Sequence, residues 1–362
     1  MNYSILFFFF IILLLISIYV YKKISIILLI IFPNVKLRLI SFILAAIPLI
    51  MVFSRSFSSF LIFIFYVIIF SILIDSINIY VKRFNNKTWK IIHRFLIIPI
   101  IVSTIFTSYG YYNAHNIQKT TYNIISEKDI KQDYKIALIS DLHFGNNFNL
   151  EKLKEQVNII SADNPDLVVL AGDIVDEQTP VDTYEEVFKI LSSIKSTYGV
   201  YYILGNHDEN RYINPTDDRN TKLNNAIKNT NIIVLNDTSK QINGDIFISG
   251  RIDYSYERDA QRIPAIDLIK ELDTNKFLLV ADHQPSQYKE NKEAGFDLQV
   301  SGHTHAGQIW PFGIVTSSIG FDYGLLKEDN FNLVVSSGMG LWGMPVRTEE
   351  KSEYVIIEIK KK

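Results

Sequence analysis

The stretch Asp166 to Asp176, DLVVLAGDIVD, decides how the rest of the chain is read. Leu167 to Ala171 is a short apolar run with two adjacent valines, the pattern of a strand buried on both faces. The run stops at Gly172-Asp173, so a carboxylate is delivered at the C-terminal end of a buried strand, where α/β sheets hold their ligands. Packing alone gives no reason to end such a strand on a glycine and an acid. Asp173 is therefore placed at the centre of an active site.

Four further runs end alike. Tyr134 to Ser140 delivers Asp141 and His143, and Val200 to Leu204 delivers Asn206, His207 and Asp208. Phe277 to Ala281 delivers Asp282 and His283, and Phe296 to Ser301 delivers His303 and His305. Any one of these histidines alone would be read as a hydrogen-bonded structural residue. Together, at strand ends, they form a set of oxygen and imidazole donors suited to Mn, Fe or Zn, with carboxylates able to bridge two ions. The constellation predicts two divalent metal ions.

Outward from this core the composition divides the chain. Asp75 is the only acid before Glu127, so residues 1–126 carry +10 and the remainder −12 within a total of −2. Apolar runs occupy Tyr3 to Tyr21, Leu39 to Phe53, Phe57 to Ile74 and Phe95 to Tyr112, while Ile24 to Phe32 is too short to span a bilayer alone. Several runs, the first without a basic lead or a small-residue cleavage site, exclude a removed signal sequence. Four transmembrane helices are expected over residues 1–112, with three as the fallback.

Basic residues concentrate after the first run (Lys22, Lys23, Lys36, Arg38) and between the third and fourth (Lys82, Arg83, Lys87, Lys90, Arg94), which marks those connections as cytoplasmic. With four spans, everything after Tyr112 lies outside the cytoplasmic membrane. The lack of cysteine is compatible with that compartment without deciding it.

Residues 113–133 are polar and aperiodic and read as a linker, and residues 134–362 as the catalytic domain. Within it, Asn149 opens a helix with Leu153, Val157 and Ile160 on one face, and Asp182 caps another that buries Val187, Leu191 and Ile194. Strands alternating with helices indicate a parallel-sheet α/β core. Ile232 to Leu235, Ile246 to Ser249, Leu333 to Ser336 and Tyr354 to Ile359 look like strands of a second sheet packed on the first.

At these residues the chain resembles the calcineurin-like metallophosphoesterase superfamily, through DLH (141–143), GDIVD (172–176), GNHD (205–208), DHQP (282–285) and GHTH (302–305). All five motifs occur in the family's order, and AGQIWPFG (306–313) and SSGMGLWGMPVR (336–347) are similar to its bacterial membrane-associated branch, which includes YaeI and YkuE. The resemblance implies an α/β four-layer sandwich of two mixed sheets flanked by helices. It implies that Asp141, His143, Asp173 and His305 hold one metal, and that Asp173, Asn206, His283 and His303 hold the other. His207 would stand beside the scissile phosphate, with Asp176 as the acid that orients it.

The apolar runs and this resemblance together imply a membrane-anchored hydrolase in which a hydroxide bridging the metals attacks a phosphoester. Glu177 occupies the place where protein Ser/Thr phosphatases of the superfamily carry a phosphate-gripping arginine. That departure argues against phosphoprotein substrates and for phosphodiesters, or for lipid- or envelope-linked phosphoesters; no nucleic acid is expected. The alternatives are a pyrophosphatase acting on a UDP-diacylglucosamine-type precursor of lipid A, and a sensor that binds a phospho-ligand without turnover. Trp310, Trp342 and Arg347 lie in Gly- and Pro-rich loops, where contact with substrate and plain packing are equally expected, and Asp253 is an unassigned strand-end acid.

Overall fold

A computed structural model describes residues 3–32, 40–41, 43, 59–84, 86–209, 218–255 and 262–362. The chain forms two compact units, Met1–Tyr111 with Gly343–Val346, and Tyr112–Trp342 with Arg347–Lys362.

The first unit is helical. Helix α1 (Tyr3–Ile31) runs for 29 residues and α2 (Ser59–Val81) for 23. Both are long and apolar enough to cross a membrane, over Leu14–Ile31 and Phe60–Val81. A short helix α3 (Lys87–Arg94), capped by the Asn86 side chain on Trp89 N, meets α4 (Ile97–His115) at a 52° bend, and the pair taken as one span would make a third. The expected second span, Leu39 to Phe53, lies outside the described residues apart from Ile40, Ser41 and Ile43.

One expectation is overturned in this unit. Tyr3 to Tyr21 and Ile24 to Phe32 are not separate runs, because α1 continues through Lys22 and Lys23. No glycine or proline interrupts residues 1–32, and lysine is a good helix former. The charge of Lys23 is met on a neighbouring helix: its Nζ lies 2.5 Å from Asp75 Oδ1. Asp75 also accepts from Tyr19 Oη at 2.8 Å and faces His93 Nε2 at 2.7 Å, so one acid joins α1, α2 and α3. Close by in sequence, Trp89 Nε1 donates to Asn78 Oδ1 at 2.8 Å.

The second unit stacks two six-stranded mixed sheets between outer helices. The first sheet has the order β1 (Gln118–Ile125), β12 (Glu353–Lys360), β2 (Tyr134–Ile139), β3 (Leu167–Ala171), β4 (Val200–Ile203), β5 (Ile233–Val234). The second has the order β10 (Gly324–Glu328), β11 (Phe331–Val335), β9 (Leu298–Ser301), β8 (Phe277–Ala281), β7 (Ile246–Gly250), β6 (Thr238–Ile242). Strands β2 to β5 are parallel, as are β7, β8, β9 and β11, so within each sheet the C-terminal ends of these strands share one edge.

The period-2 alternation of the strands separates three apolar layers. Val169 and Ala171 of β3 join Ile136, Leu138, Leu279 and Val300 between the sheets, while Val168 and Leu170 point the other way. There they meet α5 (Leu150–Ala162) through Leu153 and Val157, and α6 (Tyr184–Ser192) through Val187 and Leu191. On the far side Leu278 and Val280 pack with α8 (Ala265–Ile269) and α9 (Tyr288–Ala294). Helices α7 (Arg219–Lys228) and α10 (Phe312–Ile319) complete the set.

Three readings of this unit are corrected. Residues 113–133 are not wholly a linker, because 118–125 form β1, paired residue for residue and in parallel with β12. The two strands expected at Ile232 to Leu235 and Tyr354 to Ile359 belong to the first sheet rather than the second. Asp182 lies in a 3-10 turn ahead of α6, and the N-cap residue is Thr183, which makes no side-chain cap bond.

Candidate metal centre

Every strand expected to deliver a donor does so at its C-terminal end, and after β2, β3 and β9 the backbone leaves ordinary geometry. Asp141, His143, Asp173, His303 and His305 all have positive φ, between 40° and 72°. Non-glycine residues avoid this region at a cost of about 1–3 kcal/mol each, and such residues concentrate at functional sites. Glycines make room for the turns: the Asp173 carboxylate fills the place where a Cβ of Gly205 would stand, and the Asp141 carboxylate does the same at Gly302.

The turns gather two groups of donors. Asp141, His143 and His305 bring one ligand atom each to within 4.8 Å of one another, and Asp173, His283 and His303 do likewise. Asp173 Oδ2 is 3.1 Å from His283 Nε2 and 3.8 Å from His143 Nε2, so it faces both groups. Asn206 is buried at the end of β4 on the same edge.

Proton positions show what these groups lack. His283 Nδ1 lies 2.7 Å from Ala171 O, which places the proton on Nδ1 and turns the lone pair of Nε2 toward a carboxylate oxygen. His143 Nδ1 lies 3.2 Å from Asp176 Oδ2, leaving Nε2 to face His305 Nε2 at 3.2 Å. Lone pairs set against lone pairs and carboxylates, away from water, fit divalent cations between them, and the Nδ1 partners are the outer contacts that orient metal-binding histidines. In the apoprotein, burial and His283 beside it hold His303 down at about 4, and burial, His143 and Arg347 hold His305 well below the usual range. Burial opposes charge on His283, yet Asp173 and Asp141 raise its pKa well above the usual range, so without metal a proton on Nε2 stands where a cation would replace it.

Comparison with known proteins agrees with this arrangement. The family model for calcineurin-like phosphoesterases matches residues 134–307. An uncharacterized metallophosphoesterase of Campylobacter jejuni, Cj0846, is 33% identical over 283 residues, which cover 77% of this chain and 73% of that protein. The chain belongs to the calcineurin-like metallophosphoesterases. YkuE of Bacillus subtilis, also named an uncharacterized metallophosphoesterase, is 28% identical over 270 residues (70% of this chain, 90% of YkuE). A transmembrane protein with metallophosphoesterase domain from Danio rerio is 28% identical over 280 residues (73% of this chain, 62% of that protein). The family makes this chain a metal-dependent phosphoester hydrolase, and among the described residues two helices are long and apolar enough to cross a membrane.

In this metallophosphoesterase the orienting acid expected for His207 is a different residue. His207 Nδ1 is 3.0 Å from both Oε1 and Oε2 of Glu177, whereas Asp176 turns to His143 and to the N–H groups of Gln178 and Thr179. The reason is local. Asp176 is buried and fixed by the turn after it, and Glu177, one residue on and one methylene longer, reaches the histidine. Burial works against protonation of His207, but Glu177 and Asp173 raise its pKa. The departure from the arginine pattern at position 177 is the sequence signal that marks this residue.

Four further residues find their places. Asp208 accepts from the backbone N–H of Asp173, Ile174, Val175 and Gly205 at 2.6–3.1 Å, clamping two ligand loops together. Arg347 is a buried brace rather than a substrate contact: it donates to the carbonyls of Ser337, Gly340 and His305. Trp342 is half exposed, with its ring 5.6 Å from that of His207. Asp253 is buried and accepts from Gln284 Nε2, beside the His283 loop.

Proposed function

We propose that this chain is a membrane-anchored, dinuclear phosphodiesterase. The observation that carries the reading is the pair of three-donor groups with Asp173 facing both. Asp141, His143, Asp173 and His305 hold one divalent ion, and Asp173, Asn206, His283 and His303 the other. Bound there, the two ions supply Lewis acidity, activating water near neutral pH and neutralising charge on the phosphoryl oxygens.

The remaining chemistry belongs to the protein. Glu177 fixes the Nδ1–H of His207, so Nε2 is the atom that carries the mobile proton. His207 donates that proton to the leaving oxygen, and Glu177 stabilises the imidazolium beforehand. Asp176 keeps His143 in the tautomer that presents Nε2. Glu177 also adds a negative charge at the mouth of the site, which opposes a monoester dianion more than a diester monoanion. A phosphodiester at the lipid or envelope surface fits best.

The basic connection between α2 and α4 (Lys82, Arg83, Lys87, Lys90, Arg94) supports a cytoplasmic side there. If α4 then crosses, the catalytic unit lies outside. The test of function uses the full chain in detergent, stripped of metal and resupplied with Mn²⁺, on a nitrophenyl phosphodiester and the matching monoester. Metal-dependent turnover with the diester preferred supports the proposal; metal-bound protein inactive on both overturns it. Accessibility of a tag placed after Lys362 in intact cells tests the orientation.

A further inference from the structure

Helix α10 (Phe312–Ile319) is built inside out. Its large apolar side chains are exposed, with Phe312 45%, Ile314 64%, Val315 54% and Ile319 82% accessible, and it has no buried residue. Hydrogen bonds tie it to the rest of the unit: Gly313 N donates to Glu349 Oε1 at 3.1 Å, and Thr316 Oγ1 to Asp322 Oδ2 at 2.5 Å, while the exposed Ser317 and Ser318 hydroxyls bond the helix's own carbonyls. A surface helix of a water-soluble protein shows the opposite arrangement. No charged residue occurs in the 16 positions from Ala306 to Phe321.

The helix is also fixed to the metal centre. His305 opens the turn that leads into it, and the backbone of Gly313 packs so closely on Gly307 that a Cβ at Gly307 would overlap it. Asp322, which receives Thr316, also accepts through its carbonyl from Thr304, between the two motif histidines. Trp342 adds a half-exposed ring near His207, and its backbone N–H donates to Gln308 Oε1 in the same turn.

We propose that α10 inserts shallowly into the lipid bilayer and seats the metal centre at headgroup level, so that the substrate is a phosphoester held at the membrane surface. This rests on the membrane-anchored reading above. Size favours lipid over a second copy of the chain: a helix of eight residues is about 12 Å long and about 10 Å wide, far below the roughly 800 Å² per partner of a stable dimer. Interfacial helices bury an apolar face only about 5–10 Å deep, a depth this helix can fill. The same chain carries α1 and α2, each long and apolar enough to cross a bilayer.

Because the chain has no cysteine, single positions can be labelled cleanly. Full-length Ile314→Cys, Ile319→Cys, Ile72→Cys in α2 and Lys228→Cys in α7 would each carry a polarity-sensitive fluorophore in nanodiscs containing spin-labelled lipid. Turnover of the nitrophenyl diester would verify folding of each variant. The expected result is a blue shift and loss of about half the emission at 314 and 319 when the nitroxide is near the headgroup, less when it is at the chain end, and no loss at 228. If 72 is quenched while 314 and 319 are not, the docking proposal falls and the membrane reading stands. A blue shift at 319 without quenching, growing with protein concentration, would assign the helix to a second copy and overturn the proposal. No quenching at 72 would overturn the membrane reading itself.

Discussion

Asp75 in the helical unit and Asp173 in the α/β unit are both acids with histidine and other donors beside them, but only Asp75 is paired with a lysine, whose charge does not depend on taking a proton from solution near neutral pH. Lys23 supplies a full positive charge at 2.5 Å, and Tyr19 and His93 complete the ring. Around Asp173 the neighbours are imidazoles whose Nδ1 atoms are already engaged, by Ala171, Asp176 and Glu177, and a second carboxylate, Asp141, stands among them. A closed cluster stabilises packing and asks for nothing further. An open one is a site, because its missing charge must come from solution.

The largest effect that could break this contrast is at Asp173. Asp173→Ala removes the one donor facing both groups, so turnover should fall at least about 10³-fold and bound metal, measured by elemental analysis, should drop from two ions per chain. Full occupancy and activity in that variant would end the dinuclear reading.

Next is Glu177→Gln, which keeps a hydrogen bond to His207 but removes the charge. We expect a loss of about 10- to 100-fold in kcat on alkyl phosphodiesters, with KM and metal content unchanged and a smaller loss on nitrophenyl esters, whose leaving group needs no proton. Equal losses on both substrates would show that Glu177 acts through structure alone. Asp176→Asn should show the reverse pattern, lowering metal affinity with no leaving-group dependence.

Metal removal reads the open cluster as stability. At a hundredfold excess over Kd, metal should stabilise the α/β unit by about 2.7 kcal/mol, or roughly 5–10 °C in Tm by calorimetry. The smallest effect belongs to the closed cluster. Asp75→Asn leaves Lys23 without its acid and should cost about 1–3 kcal/mol in the helical unit, while kcat on a soluble diester stays the same. A drop in metal content there would mean that the two clusters are not independent.

Much of the site was legible because its signal is local. A buried run followed by Gly-Asp, Gly-Asn, Gly-His or Asp-His states both where a strand ends and what it presents, and β3 and β8 have the expected limits. What escaped were relations made by distance in sequence. β1 is polar on most positions and lies at an edge, so its strand character comes from its partner β12 rather than from its own pattern. Arg347 in its Gly-rich loop reads equally as a substrate contact or as packing, and only the fold shows three carbonyls enclosing it. Asp176 and Glu177 are adjacent acids, and one residue of turn geometry decides which histidine each serves.

The place of β12 has a consequence for the order in which the protein is made. It lies between β1 and β2, yet it leaves the ribosome after every other described strand. Until residues 353–360 emerge, β1 has no partner and the edge of β2 is open, although every proposed metal ligand has already been synthesised. Nascent chains therefore pass through a stage in which the apolar helices are complete and the proposed ligands are present but the first sheet is not. Ribosomes stalled before residue 353 should expose β2 to protease, whereas release past residue 360 should close the sheet in a single step.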